Sequence, residues 1–215
     1  MADVTLTYKG STIAEMDASG SKTLKTAGKY CEGDIGVSYV KPSGGGGSTD
    51  NEDAIIKRTI TSYVNPRVTS IGDHAFYSCG MLTSVDFPLV TKMGASVFTY
   101  ANSLVNINLP LLATMDSNAF AFCAALSKLS LPCVVNINSF AFMRDSNLIT
   151  LILSNPQMCT LTNKNAFNNT PIASGTGYIY VPQVLLEDYK AATNWVTYAT
   201  QFRAIEDYPD ICGEV

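Results

Sequence analysis

The chain has 215 residues but a single histidine and a single tryptophan, and only 15% of it is charged. A zinc site, or a Ser-His-Asp or Cys-His pair, would have to be built on His74, and no two of the six cysteines stand at CxxC or related metal-site spacing. That removes the usual constellations for metal and nucleophilic chemistry, so no cofactor and no metal are expected. Fourteen basic against 18 acidic residues leave a net charge of -4. Such a balance supplies no field for collecting phosphates, so neither nucleic acid nor an anionic membrane surface is expected as a partner. Nowhere is there a run of about 18 apolar residues, the length a membrane helix needs. The first stretch, Met1 to Gly10, lacks an apolar segment behind a basic start. The expectation is therefore neither membrane insertion nor an ordinary secretion signal. A function outside the cell would need another route, such as release on a particle by lysis.

What is present is a packed, globular composition, 47% hydrophobic, ordered by a repeat. Phe76, Phe98, Phe120 and Phe142 follow one another at one constant step. Leu82, Leu104, Leu126 and Leu148 keep the same step, as do Val85, Ile107, Leu129 and Leu151, then Phe87, Leu109, Leu131 and Leu153; Pro88, Pro110 and Pro132 follow in register. So many slots at one period mean a solenoid, in which each coil buries its apolar face only against its neighbours. Within a coil the order is a short extended piece (Val68 to Ile71), a turn at Gly72, a helical turn carrying Ala75, Phe76 and Cys79, and a strand from Leu82 to Phe87 stopped by Pro88. The Leu82, Val85, Phe87 spacing is the LxxLxL of a leucine-rich repeat, with intervening side chains turned outward.

Extrapolating backwards lands on Ile60, Tyr63 and Pro66, a first strand ahead of the complete coils. Forwards, Ala166-Phe167 arrives later than one step after Ala141-Phe142, so three residues are inserted. Pro182 ends the last strand, and Gln183 to Tyr208 reads as one helix whose Leu185, Tyr189, Ala192, then Trp195, Tyr198 and Phe202, lie over the open end of the stack. At the other end, residues 4–40 alternate short β-branched runs with turn signals, the pattern of a small all-β unit whose thin core needs the solenoid or a partner chain. Ser43 to Ser48 and the polar residues after it make a flexible linker. The division is thus residues 1–42, a small β anchoring module; 43–54, a Gly/Ser-rich linker; 55–182, the solenoid; and 183–215, the helical cap and tail. Gly20-Ser21-Lys22-Thr23 matches only the end of a phosphate-binding loop: Ser21 stands where Gly is required before Lys, and Met16 where the earlier Gly is required. A turn into a strand accounts for it.

Comparing slots also reads the reactive residues. Cys79 and Cys123 share a slot with Ala101 between them. At about 4.8 Å per coil they would lie about 10 Å apart, beyond the reach of a disulfide, so all six cysteines are expected as thiols. His74 shares its slot with Ser96, Asn118 and Phe140, a tolerant surface position. Glu52-Asp53, Glu206-Asp207 and Asp210 fall in the linker and near the C-terminus, where charge runs are solvated.

The coil Ile71-Gly72-Asp73-His74-Ala75-Phe76-Tyr77-Ser78-Cys79-Gly80-Met81-Leu82-Thr83-Ser84-Val85-Asp86-Phe87-Pro88 resembles the Treponema-type, or BspA-like, leucine-rich repeat, with its Ile-Gly, Ala-Phe, Cys, Leu, Val, Pro progression. The match runs over roughly residues 60–182 and departs at Val97 (Ala expected), Asp145 (Cys) and Ser154 (Pro). Tyr180 to Trp195 resembles the segment that closes such arrays in gut Firmicutes and their phages. Val4 to Pro42, with Tyr8-Lys9-Gly10 and Lys29 to Ile35, is similar to short β modules at the head of phage structural proteins. The resemblance implies a surface adhesin or binding protein, attached to the virion in the phage versions, with no catalytic residues carried over.

The candidate binding surface is the outward strand face. Alternation places Ser84 and Asp86, Asn106 and Asn108, Lys128 and Ser130, Thr150 and Ile152 side by side, with Ser62 and Val64 extending the row. A flat ladder of small polar groups can hydrogen-bond a host glycan or protein; equally, the outer face of any strand array is polar by default. None of these slots holds Trp or Tyr, which weakens sugar stacking. The expectation is a virion-associated, non-enzymatic protein displaying its repeats for host attachment, with the first module holding other virion proteins and able to form a homo-oligomer. The alternative is a bacterial cell-surface adhesin.

Overall fold

The computed structural model describes residues 4–8, 11–16, 22–24 and 61–213. Two rows of parallel strands run along the stack, the first divided between two sheets and the second one continuous ladder, because each coil contributes two short extended pieces at a fixed distance from its Phe. The first ladder comprises β4 (Ser62–Val64), β6 (Ser84–Asp86), β8 (Asn106–Asn108), β10 (Lys128–Ser130), β12 (Thr150–Ile152), β14 (Tyr178–Val181) and β15 (Phe202–Ala204). The second comprises β5 (Ser70–Ile71), β7 (Lys92–Met93), β9 (Thr114–Met115), β11 (Asn136–Ile137) and β13 (Thr160–Leu161). Register follows the sequence period: Ser84 pairs with Asn106, Lys92 with Thr114, Lys128 with Thr150.

The helical turn of each coil is drawn as consecutive tight turns. The N–H of Tyr77 donates to the His74 carbonyl and that of Cys79 to Phe76, while the alternate N–H groups of His74, Phe76 and Ser78 donate sideways to Ala95, Val97 and Thr99 in the next coil at 2.8–2.9 Å. This alternation needs left-handed backbone at two slots per coil, filled by His74, Ser96, Asn118 and Phe140, and by Ser78, Tyr100, Phe122 and Arg144, all with φ of 56–64°. In the stretched fifth coil the arc becomes a 3-10 helix, Lys164–Phe167, started by Asn163 accepting from the Asn165 N–H.

The Phe ladder is the centre of the core. Phe76, Phe98, Phe120, Phe142 and Phe167 are buried and stack at 5.2–5.7 Å between centroids with interplanar angles of 2–15°. The three-residue insertion is absorbed outside this column, so the fifth ring keeps its place. Tyr63 closes one end edge-on against Phe76 at 5.0 Å, and Tyr198 closes the other against Phe167 at 5.2 Å.

The C-terminal part departs from the single helix expected over Gln183 to Tyr208. A 3-10 turn (Gln183–Leu185) and a short α-helix (Leu186–Ala191) end at Ala192; Asn194 has φ 65°, and a 3-10 segment, Trp195–Gln201, follows. The offset between Ala192 and Trp195 in the apolar spacing is this break. Phe202 then leaves the helix to form β15, parallel to β14. Unpaired backbone decides the matter, because an open sheet edge over a buried core must be satisfied. The second ladder is closed by side chains: the Tyr189 hydroxyl accepts from the Cys159 N–H (2.7 Å), Trp195 Nε1 donates to the Cys159 carbonyl (2.7 Å), Asn194 Nδ2 donates to Leu161 (2.8 Å) and the Tyr198 hydroxyl to Lys164.

At the other end β1 (Val4–Tyr8), β2 (Ser11–Met16) and β3 (Lys22–Leu24) form an antiparallel meander. Its first strand pairs antiparallel with β4, so the sheet order runs β3-β2-β1-β4-β6-β8. The linker expected at 43–54 and Cys31 lie outside the described residues. The other five cysteines are free thiols; Cys79, Cys123 and Cys159 are buried, and burial pushes the Cys159 thiol up to about 12. Among the described residues no helix is long and apolar enough to cross a membrane.

Candidate binding surface

The strand face is built by β6 to β12, whose middle residues Val85, Leu129 and Leu151 point into the core and whose flanking residues point out. Asn106, Asn108, Lys128 and Ser130 are exposed; Ser84 and Asp86 are half-buried. Asn108 Nδ2 donates to Asp86 Oδ1 at 2.7 Å, tying adjacent coils. Two of the expected outward residues are not available: Thr150 is 9% and Ile152 3% exposed. Ile152 packs under the C-terminal segment, a contact that strand alternation does not reveal.

One break interrupts the face. The Val105 N–H donates to Thr83, Phe87 to Asn108, Ile149 to Ser127 and Leu131 to Ile152, but β8 and β10 make no such ladder and belong to separate sheets. On the far side of the same two coils the lateral bonds are intact, with Ser96 donating to Ser117 and Phe98 to Ala119 at 2.8–2.9 Å. The coils therefore part only on the strand face. Ile107, which shares the inward slot with Val85 and Leu129, is half-exposed there. The result is an open depression of about 600 Å³ whose floor includes Ile107 and whose rim carries Ser84, Asp86, Asn106, Asn108 and Lys128. Sites of this volume with an apolar floor and a few polar groups suit small ligands or short polymer segments.

The anchors that the strand slots lack stand on the turn face instead. Tyr77 meets Tyr100 edge-on at 5.7 Å, Tyr100 meets Phe122 at 4.5 Å, and the Arg144 guanidinium lies 5.4 Å from the Phe122 centroid. Tyr100, Phe122 and Arg144 fill one slot of the repeat, so comparing that column would have found them. Bulky side chains are unfavourable at the positive φ this slot requires, and here their contacts with one another offset that. His74 sits beside Tyr77, 5.6 Å between rings, consistent with a surface role.

Among the described residues Asp145 is the one carboxylate deep in the stack, fully buried where other coils have Cys79, Ala101 and Cys123. Its Oδ1 accepts from the Cys123 N–H at 2.7 Å and its Oδ2 has no partner. Burial holds its carboxyl well above the usual range, opposed by that hydrogen bond. The group is inaccessible, and among the described residues no three of His, Cys, Asp or Glu converge.

A family model described as the BspA type leucine-rich repeat region matches residues 69–181 in six copies, more than half of the chain. Comparison with curated proteins gives no match. Among solved structures the chain is similar to a leucine-rich-repeat protein of T. pallidum, with 22% identity over 57% of this chain and 58% of that one and a TM-score of 0.49. It is also similar to a leucine-rich cell surface protein from Faecalibacterium prausnitzii, with 20% identity over 93% of this chain and 54% of that one and a TM-score of 0.45. The chain thus spans a little over half the length of each.

Proposed function

Because the chain belongs to the BspA-type leucine-rich-repeat family, we propose that it is a non-enzymatic recognition scaffold that attaches to a host surface through its strand face. The observation that carries this reading is the parting of β8 from β10, which opens a polar-rimmed depression on the strand face. Unpaired backbone groups beside Asn, Ser, Asp and Lys side chains offer donors and acceptors together, the chemistry that a glycan or a protein surface requires. The finer reading is a phage virion protein whose first module holds the particle while the repeats face outward. It is supported by the likeness of Val4 to Pro42 to phage structural modules. A bacterial cell-surface adhesin is the alternative, and it shares the same binding face.

Mass spectrometry of purified phage particles and of washed cell envelopes separates the two. Peptides of this chain in particles establish the virion reading, their presence in envelopes alone establishes the adhesin, and absence from both refutes surface attachment. The face itself is tested by Asn106→Arg with Asn108→Arg, which should lower attachment to host cells at least tenfold with an unchanged melting temperature. Undiminished attachment would remove the strand face from the mechanism.

A further inference from the structure

Part of the strand face already carries an occupant. The core beneath β12 and β14 is complete without it, since Leu151, Leu153, Ile179 and Val181 are fully buried on the inner side. Ile152 and Tyr180 point the other way, and with Ile205 they form a second apolar cluster outside the core, flanked by Tyr178, Tyr208, Ile211 and Cys212. On β6, β8 and β10 the outward residues are Ser, Asp, Asn and Lys, as a solvated array requires. An outward Ile and Tyr on the next strands are complementary to something apolar, and here it is the segment from Ile205 to Cys212.

The hold of that segment is light. Tyr208 meets Tyr180 edge-on at 5.4 Å, and the four-residue helix Pro209–Cys212 brings the Ile211 carbonyl to Lys128 Nζ at 2.6 Å. Pro209 and Asp210 are exposed, and Ile211 and Cys212 are only half-buried. Lys128 also lines the open depression, so the covered and open halves form one continuous surface that shares this cation.

We propose that the strand face over β10 to β14 is a peptide-binding site for a short segment with aromatic or aliphatic side chains and a free main-chain carbonyl. Residues 208–213 are its intramolecular occupant, and a partner segment of the same chemistry displaces them. This rests on the strand-face reading above and names its ligand class. The aromatic row on the turn face is a weaker platform, because Phe122 is already engaged by Tyr100 and by the Arg144 guanidinium. A tethered segment acts at an effective concentration on the order of 1 mM, so against an intrinsic Kd of roughly 0.1 mM it weakens an external peptide about tenfold.

The test uses a fluorescein-labelled peptide of residues 208–215, with serine in place of Cys212, titrated by anisotropy against three proteins. These are the full chain, a chain ending at Asp207, and the full chain with Tyr208→Ser and Ile211→Ser. The last two should bind the peptide about tenfold more tightly than the first, and Lys128→Ala added to either should reverse most of the gain. Equal binding by all three, in proteins that melt cooperatively, overturns the proposal; if the shortened chain fails to fold, the double variant alone decides. Equal peptide binding by all three proteins, while Asn106→Arg with Asn108→Arg still lowers host attachment, removes this inference and leaves the proposed function. The opposite pattern does the reverse.

Discussion

Phe120 and Phe122, near neighbours in the chain, should respond to mutation to very different extents. Phe120 is fully buried, stacked on Phe98 at 5.3 Å and on Phe142 at 5.7 Å. Replacing it with Ala removes about 1.5–3 kcal/mol of burial, and a residual cavity of roughly 60–80 Å³ adds about 1.5–2 kcal/mol. The sum, about 3–5 kcal/mol, lies within what buried Phe→Ala changes cost and corresponds to a fall in Tm of about 10 °C for a unit of this size. Because each coil is supported only by its neighbours, the loss cannot be shared around the stack. Phe122 is half-exposed at φ 63°. Phe122→Asn forfeits contacts to Tyr100 and Arg144 worth roughly 0.5–1.5 kcal/mol each, but relieves a left-handed backbone that disfavours a bulky residue by about 1–2 kcal/mol. Its Tm should therefore stay within about 3 °C of the parent. Differential scanning calorimetry of both variants settles it. A Phe120→Ala protein melting within about 3 °C of the parent, or a Phe122→Asn protein falling as far as Phe120→Ala, would refute the assignment of one ring to the core and the other to the surface.

Three further outcomes follow from buried polar groups and from the sheet edge. Asp145 has a folded-state pKa raised by burial. Its contribution is thus fully present below the ordinary carboxylate pKa, about 4, and is lost as pH rises through the raised value. Asp145→Asn should flatten that decline, so the difference in Tm between variant and parent should grow from pH 4 to pH 7; a constant difference would show that the carboxyl is not protonated in the fold. Tyr189→Phe leaves the buried Cys159 N–H without its 2.7 Å acceptor and should cost about 1–3 kcal/mol by chemical denaturation, whereas no loss would mean that the cap does not satisfy that edge. Deleting residues 1–48 uncovers the β4 edge paired by β1. The shortened chain should remain folded and melt cooperatively by circular dichroism but elute as an oligomer in gel filtration, and a monomer would show that the edge protects itself.

The strand-face depression and the covering tail were the least legible features. Alternation correctly turned Ser84, Asp86, Asn106, Asn108, Lys128 and Ser130 outward, but it treats every coil alike. It contains no term for two coils parting at β8 and β10, nor for a segment that begins at Ile205, remote in the chain from Ile152, and folds back over it. The same limit produced the single C-terminal helix: the apolar spacing of Trp195, Tyr198 and Phe202 is compatible with one face of a helix, and only the unpaired edge of β14 draws Phe202 into a strand.

By itself the sequence determined the period, the number of coils, the stacked rings and the repeat slots that Cys79, Cys123 and His74 fill. Those properties depend on contacts between positions exactly one repeat apart, and a repeat writes its neighbour contacts into its own periodicity. Tertiary structure decided what happens where the periodicity ends or fails: how the first sheet is capped by β1, how the last is closed by Tyr189, Trp195 and β15, where the strand face opens, and which half of it the tail covers. Each of these is settled by backbone groups and apolar side chains finding partners remote in sequence, a requirement that no single coil contains.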